Sequence, residues 1–224
     1  MKIFLILGMV VLGIFQSSAQ EKFTSFFEPE IEINYNVTPT YSHSFGIENR
    51  NVFYEDSHLG YGVKQIDVSH FSEFKLKENQ AIGLGIQYRF ENTFDGNEEN
   101  ELRFMQQFEW ENVKLSYTIK SRLRSEQRLY ASTTKYRLRY ELGLAFPLTT
   151  TTYLKTETET LFELANIQKP ELEQRISAIY GFTIYTETDL EIGAQYRLAD
   201  YTQDLGQQLF IVIGIAIDLN RFHF

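Results

Sequence analysis

The stretch that decides the fold is Tyr136-Arg-Leu-Arg-Tyr-Glu-Leu-Gly-Leu-Ala-Phe146. Tyr136, Leu138, Tyr140, Leu142, Leu144 and Phe146 fall on one side of an extended chain, and Arg137, Arg139, Glu141, Gly143 and Ala145 on the other. Successive side chains of a strand point to opposite faces, so this pattern predicts a strand with one apolar and one polar or small face. Roughly 9–11 tilted residues are enough to cross a bilayer as a β-strand. The stretch is therefore long enough to span.

The rest of the chain repeats the pattern. Alternating apolar positions fall at Ile31–Val37, Tyr41–Ile47, Ile66–Leu76, Ile82–Phe90, Leu102–Trp110 and Val113–Leu123. After the Tyr136 stretch come Leu154–Leu164, Ile176–Phe182, Leu190–Leu198 and Leu209–Leu219, making eleven segments. Short connections are expected near Thr38–Thr40, Lys77–Gln80, Glu111-Asn112, Pro147–Thr150 and Thr186–Asp189. Longer ones are expected at Asn51–Gly62, Glu91–Asn100, Ser125–Thr134, Ala165–Gln174 and Asp200–Gln207. Short periplasmic turns alternating with longer extracellular loops are the habit of outer-membrane barrels. The fold expected is an all-β, transmembrane, antiparallel up-and-down barrel. Bacterial barrels favour even strand numbers, so ten strands with an accessory N-terminal strand is the count adopted. Twelve is the alternative, if a further strand lies within Gln20–Glu28.

Composition agrees with that frame. The chain has 224 residues, no cysteine, four prolines and 15% aromatic residues. Absence of cysteine removes disulfide frameworks, thiolate metal sites and lipid-modified cysteines. A formal charge of −9 gives no support to nucleic-acid binding. Met1-Lys2, the apolar run Ile3–Phe15 and the small residues Ser17-Ser18-Ala19 read as a secretory leader cleaved near Ala19-Gln20. That leaves 1–19 as signal peptide and 20–224 as a single barrel domain, addressed to the outer membrane of a Gram-negative bacterium.

Alternation alone does not say which face points inward. A soluble secreted barrel of the lipocalin type would turn its apolar face in and hold a hydrophobic ligand. Strand length and the aromatics beside the short turns (Tyr35, Tyr41, Phe74, Trp110, Phe146, Tyr185) favour lipid outside. The polar face would then form a luminal ladder of charges: Arg50, Arg89, Arg103, Arg122, Arg137, Arg139, Glu141, Glu157, Glu159, Arg175, Glu191 and Arg197. With Lys120, Lys155, Glu48, Glu73, Glu109 and Glu163 on the same face, ten bases oppose eight acids. That near-balance predicts cross-strand ion pairs filling the lumen rather than a wide water channel.

Two blocks carry a family resemblance. Arg122-Leu-Arg-Ser-Glu-Gln-Arg128 followed by Tyr136–Gly143 resembles the central block of the domain of unknown function 2490 family. Glu173-Gln-Arg175, Tyr180-Gly181, Leu190-Glu-Ile-Gly193 and Tyr196 are similar to its C-terminal block. The resemblance implies a secreted outer-membrane barrel and brings no assigned activity. Phe222 and Phe224 are out of phase with Ile211–Leu219, a departure from the usual barrel ending.

One spacing could carry chemistry. Outer-membrane lipid hydrolases of the phospholipase and lipid A deacylase types use a His-x-Ser pair on a lipid-facing strand, and His70-Phe71-Ser72 has that spacing. His70 and Ser72 share one strand face, so the imidazole could deprotonate the hydroxyl, and His43 falls on the neighbouring strand. Two residues at this spacing recur by chance, and no acid in the same phase completes a triad, so the expectation is no enzymatic activity. No spacing resembles a zinc or calcium site, and no cofactor is expected. The expected partners are outer-membrane lipid, lipopolysaccharide and the barrel-assembly machinery; oligomeric state stays open. The predicted outer loops carry Glu55, Asp56, Glu91, Asp95, Glu98, Glu99, Glu171, Glu173, Asp200 and Asp204 against Lys169 and Arg128. That excess is expected of solvated loops kept soluble by charge; the alternative is divalent-cation bridging to lipopolysaccharide phosphates.

Overall fold

A computed structural model describes residues 23–55, 57–92, 99–166 and 169–219. Eleven strands follow one another: β1 (Phe23–Thr38), β2 (Tyr41–Glu55), β3 (His58–Lys77), β4 (Gln80–Glu91), β5 (Glu101–Val113) and β6 (Thr118–Leu129). They continue with β7 (Thr134–Pro147), β8 (Thr152–Ala165), β9 (Glu171–Tyr185), β10 (Thr188–Ala199) and β11 (Gly206–Asp218). Each strand pairs antiparallel with the next, and β11 returns to β1 to close the barrel. The secretory leader, Phe222 and Phe224 lie outside the described residues.

The strand count corrects the expectation of ten or twelve. The segment set aside as accessory is β1, a full member of the wall. An odd barrel must close with one parallel pair, and here β1 and β11 run side by side from Phe23↔Gln207 to Asn34↔Asp218. Phe23–Glu28 is not a separate strand either. It is the first part of β1, disguised by consecutive Phe26-Phe27, a register shift at Ser25/Phe26 and Pro29. Proline has no N–H to donate. Pairing of β1 with β2 is accordingly interrupted at Glu28-Pro29 and resumes at Glu30↔Glu48.

Several connections are shorter than the alternation suggests. The segment Asn51–Gly62 is not a long loop, because β2 and β3 continue to Glu55 and His58. Register shifts at Arg50/Asn51 and Val52/Tyr54 break the alternation without ending the pairing. Similarly β6 runs on to Leu129 and β9 starts at Glu171, inside two predicted loops. The turn placed at Glu111-Asn112 lies instead at residues 114–117, where Leu115 is fully exposed rather than part of a strand face.

Burial is inverted relative to a soluble protein. Leu84, Leu138 and Ile176 on the outer face are 59%, 48% and 58% exposed, whereas Glu101 and Glu126 on the inner face are 0% exposed. The outer face is mostly apolar, interrupted by polar side chains such as Gln106, Ser125 and Gln127 that hydrogen-bond among themselves. So much exposed apolar surface suits lipid rather than water. The lipocalin-type arrangement is therefore not adopted. A small apolar cluster does sit inside, where Phe26 stacks on Phe210 at 4.7 Å beside Val212. Arg50 and Arg197 cover Phe210 with their guanidinium groups at 4.8 and 3.5 Å from the ring centroid.

Candidate functional site

The inner wall follows one rule with a few apolar exceptions: the alternate residue that misses lipid is mostly polar, charged or small. Near the loop end this packs a dense network across β4–β8. Glu101 accepts hydrogen bonds from Arg103 Nε at 2.7 Å and from Arg128 Nε and Nη2 at 2.8 and 2.7 Å. Arg128 Nη1 reaches Glu163 at 2.6 Å, and Arg137 Nη2 reaches the same carboxylate at 2.6 Å. Tyr130, in the turn after β6, donates to Glu101 Oε2 at 2.7 Å. Its burial, with the Glu101 carboxylate beside it, pushes the phenol above its ordinary range, so it stays protonated and remains a donor. One layer below, Glu126 lies 2.9 Å from Arg139 Nη1 and 3.6 Å from Arg103 Nη1. Met105 and Leu161 fill the remaining space at 1% and 2% exposure.

Beside this network lies a cavity of about 980 Å3. Its lining extends from Asn34, Glu111 and Thr118 near the short turns to Glu173, Ala199 and Gln208 near the loop end. All twelve residues of the sequence-predicted ladder are on the inner face and line it: Arg50, Arg89, Arg103, Arg122, Arg137, Arg139, Glu141, Glu157, Glu159, Arg175, Glu191 and Arg197. Asp67 is bound in a fork by Arg89 at 2.7 Å on both oxygens, and Glu159 likewise by Arg139 at 2.8 Å. Arg122 pairs with Glu141, Arg50 with Glu28 at 2.6 Å, and Lys155 with Glu191 at 2.5 Å. Thirteen acids and eleven bases line the cavity. Most of these charges are paired, while Glu30, Glu32, Glu73, Glu111 and Glu157 are in no ion pair among the described residues.

The ladder had members that alternation did not disclose. Arg124, Glu126 and Arg128 continue the inward phase of Lys120 and Arg122 along β6. Ending that segment at Leu123 left Arg124 out and put Glu126 and Arg128 on a loop. Glu28, Asp67 and Glu101 are further partners on the wall. Glu173 and Arg128, expected on outer loops, pair inside with Arg175 at 2.6 Å and Glu101 at 2.7 Å.

A closed barrel with a lipid-type exterior is the architecture the resemblance implied. Residues 29–216 match the family described as "Protein of unknown function (DUF2490)". The chain belongs to that family. No curated protein matches it. Among solved structures it is similar to the NanC porin, with a TM-score of 0.57 and 11% identity, covering 84% of this chain and 91% of that one. It also matches OmpT, an outer-membrane protein of Vibrio cholerae, at TM-score 0.42 and 9% identity, over 74% and 77% of the two chains. The NanC likeness shows the fold, and an outer-membrane location fits it.

The outer face of this DUF2490 barrel holds the sequence-predicted His-x-Ser pair near the short-turn end. Ser72 Oγ is 3.3 Å from His43 Nδ1, and His70 Nε2 is 2.9 Å from that same nitrogen. Tyr41 donates to Ser72 at 3.4 Å. A hydrolytic relay needs the base to face the serine with one ring nitrogen and its orienting acid with the other. Here one nitrogen of His43 faces both neighbours, and among the described residues His70 makes no hydrogen bond to Ser72 and no carboxylate pairs with either ring. His43 meets Tyr41 edge-on, His70 lies tilted against Phe45, and Tyr41 stacks on Phe74, so the group forms an aromatic patch on the lipid-facing wall. Of the loop acids, Glu55 pairs with Lys64 at 3.4 Å and Glu99 accepts from Ser132 at 2.9 Å; Asp56, Asp95 and Glu98 lie outside the described residues.

Proposed function

We propose that this protein is a narrow outer-membrane channel of a Gram-negative bacterium, passing small polar solutes through a charge-lined lumen, and that it is not an enzyme. In this reading residues 1–19 are removed during export and the barrel-assembly machinery inserts the mature chain. Phospholipid and lipopolysaccharide then surround the apolar wall. The observation that carries the reading is the elongated cavity of about 980 Å3, reaching from Glu111 to Gln208 alongside a packed ion-pair network. Long charged side chains leave space for a solute but not for a general diffusion pore.

Recording from purified protein in planar bilayers tests this. The expectation is brief or small current steps, far below those of a general porin. Complete electrical silence, with no efflux of any small solute from proteoliposomes, would show that the lumen is closed and the barrel serves as scaffold only.

A further inference from the structure

Of the nine arginines that line the cavity, Arg124 alone lacks a carboxylate within ion-pair reach among the described residues. Its Nε and Nη2 both donate to Gln107 Oε1, at 3.0 and 2.6 Å. Its guanidinium carbon stands 4.8 Å from the centroid of the Phe71 ring. Gln107 is itself held in place, because its Nε2 donates to Glu109 at 3.1 Å and Glu109 is paired with Lys120 at 2.9 Å. The amide oxygen therefore faces Arg124, while the nearby negative charge belongs to another cation.

The wall is shaped to hold this group out into the cavity. Phe71 lies over Gly85, its partner on β4, and a Cβ at Gly85 would collide with the ring. Gln107 lies over Gly83 in the same way, with its Cγ 2.7 Å from where a Cβ would be. Two glycines on β4 thus let side chains from β3 and β5 lie flat against the wall and meet the guanidinium arriving from β6. Nη1 has no recorded partner among the described residues, and Phe71, Gln107 and Arg124 all line the cavity. A guanidinium with one edge occupied and another open presents a planar donor pair suited to a carboxylate or phosphate.

We propose that Arg124 is the anion-binding position of the lumen, taking the carboxylate or phosphate of a small solute between Phe71 and Gln107. This rests on the reading of the barrel as a narrow channel and names the solute class: polar molecules bearing one compact oxyanion. The site supplies locally the positive charge that the balanced lining as a whole lacks.

Gluconate and sorbitol are suitable probes, being six-carbon polyols that differ by the carboxylate. Proteoliposomes loaded with both are followed for efflux, and detergent-solubilised barrel is titrated calorimetrically with gluconate and with inorganic phosphate. Faster release of gluconate than sorbitol is expected, together with measurable gluconate binding. Arg124→Gln should abolish the preference and weaken binding by roughly tenfold, in line with the loss of one charge-assisted contact. Arg124→Lys keeps the charge without the fork and should fall between. Gel migration of unheated samples reports whether each variant is folded; should Arg124→Gln fail to fold, the Arg124→Lys comparison decides. Binding that depends on Arg124 without efflux of either solute supports the site and overturns the channel reading. Equal efflux of both solutes, unchanged in Arg124→Gln and without binding heat, overturns the site and leaves the channel standing. Phosphate heat without gluconate heat narrows the solute to phosphate esters.

Discussion

Arg128 and Glu101 meet edge to edge, Nε on Oε1 at 2.8 Å and Nη2 on Oε2 at 2.7 Å, with the glutamate wholly shielded from solvent. This fork ties β6 to β5, and the remaining Arg128 nitrogen reaches Glu163 on β8. Parallel donor pairs of this kind are the strongest side-chain contacts a protein makes. Removing one member leaves buried charge without compensation, which costs about 3–5 kcal/mol. Arg128→Ala should therefore lower the urea midpoint of the barrel in lipid vesicles well beyond the effect of Lys114→Ala in a turn. An unchanged midpoint would mean that the network contributes nothing to holding the wall closed.

The parallel seam makes a covalent prediction. Ile31 and Ile215 face each other across β1 and β11, and the native chain has no cysteine to interfere. Ile31→Cys with Ile215→Cys should form a disulfide under mild oxidation, since directly paired residues lie within bridging range. Ile47→Cys with Ile215→Cys should not, because β1 separates them. The reverse outcome would restore a ten-strand barrel closed by β2.

Gly181 is required by the ring opposite it. Tyr153 lies over Gly181 across the β8–β9 ladder, its hydroxyl donating to Glu191 at 2.5 Å. A Cβ at 181 would enter that ring. Gly181→Ala is expected to cost about 1–3 kcal/mol through overpacking, and Tyr153→Ala in the same chain should recover part of it. Independent, additive losses would show that the two residues do not share the space.

The outward Ser72 group should be catalytically silent. Wild type and Ser72→Ala are expected to release fatty acid from phospholipid or lipopolysaccharide at the same background rate. Turnover that depends on Ser72 would make His43 a working base in spite of its shared nitrogen.

What the sequence disclosed was whatever alternation could carry. Tyr136–Phe146 was legible because Arg137, Arg139 and Glu141 alternate with large apolar residues and no bulge intervenes. The ladder residues followed from the same parity. Phe23–Glu28 was not legible, because Phe26 turns inward against Phe210 and Pro29 interrupts one ladder. The β2–β3 hairpin past Asn51 was hidden by two register shifts, each of which reverses the parity used to recognise it. Strand number failed for a different reason: an even count was assumed, whereas β1 satisfies its backbone as well in parallel with β11 as an antiparallel strand would. Arg124 escaped because its segment was ended at Leu123, and because its partners, Gln107 on the preceding strand and Phe71 on β3, carry no charge to advertise the contact.

The account rests on the charged face pointing in and the apolar face meeting lipid, and one measurement tests that directly. Spin labels placed singly at positions 136–146 of the barrel in phospholipid bilayers are scanned for collisions with oxygen and with a water-soluble nickel complex. Labels at Tyr136, Leu138, Tyr140, Leu142, Leu144 and Phe146 should collide with oxygen and be shielded from nickel, with the effect strongest mid-strand. Those at Arg137, Arg139, Glu141, Gly143 and Ala145 should lose the oxygen signal. Oxygen access at the odd-numbered positions instead, or nickel access at every position, would contradict the account.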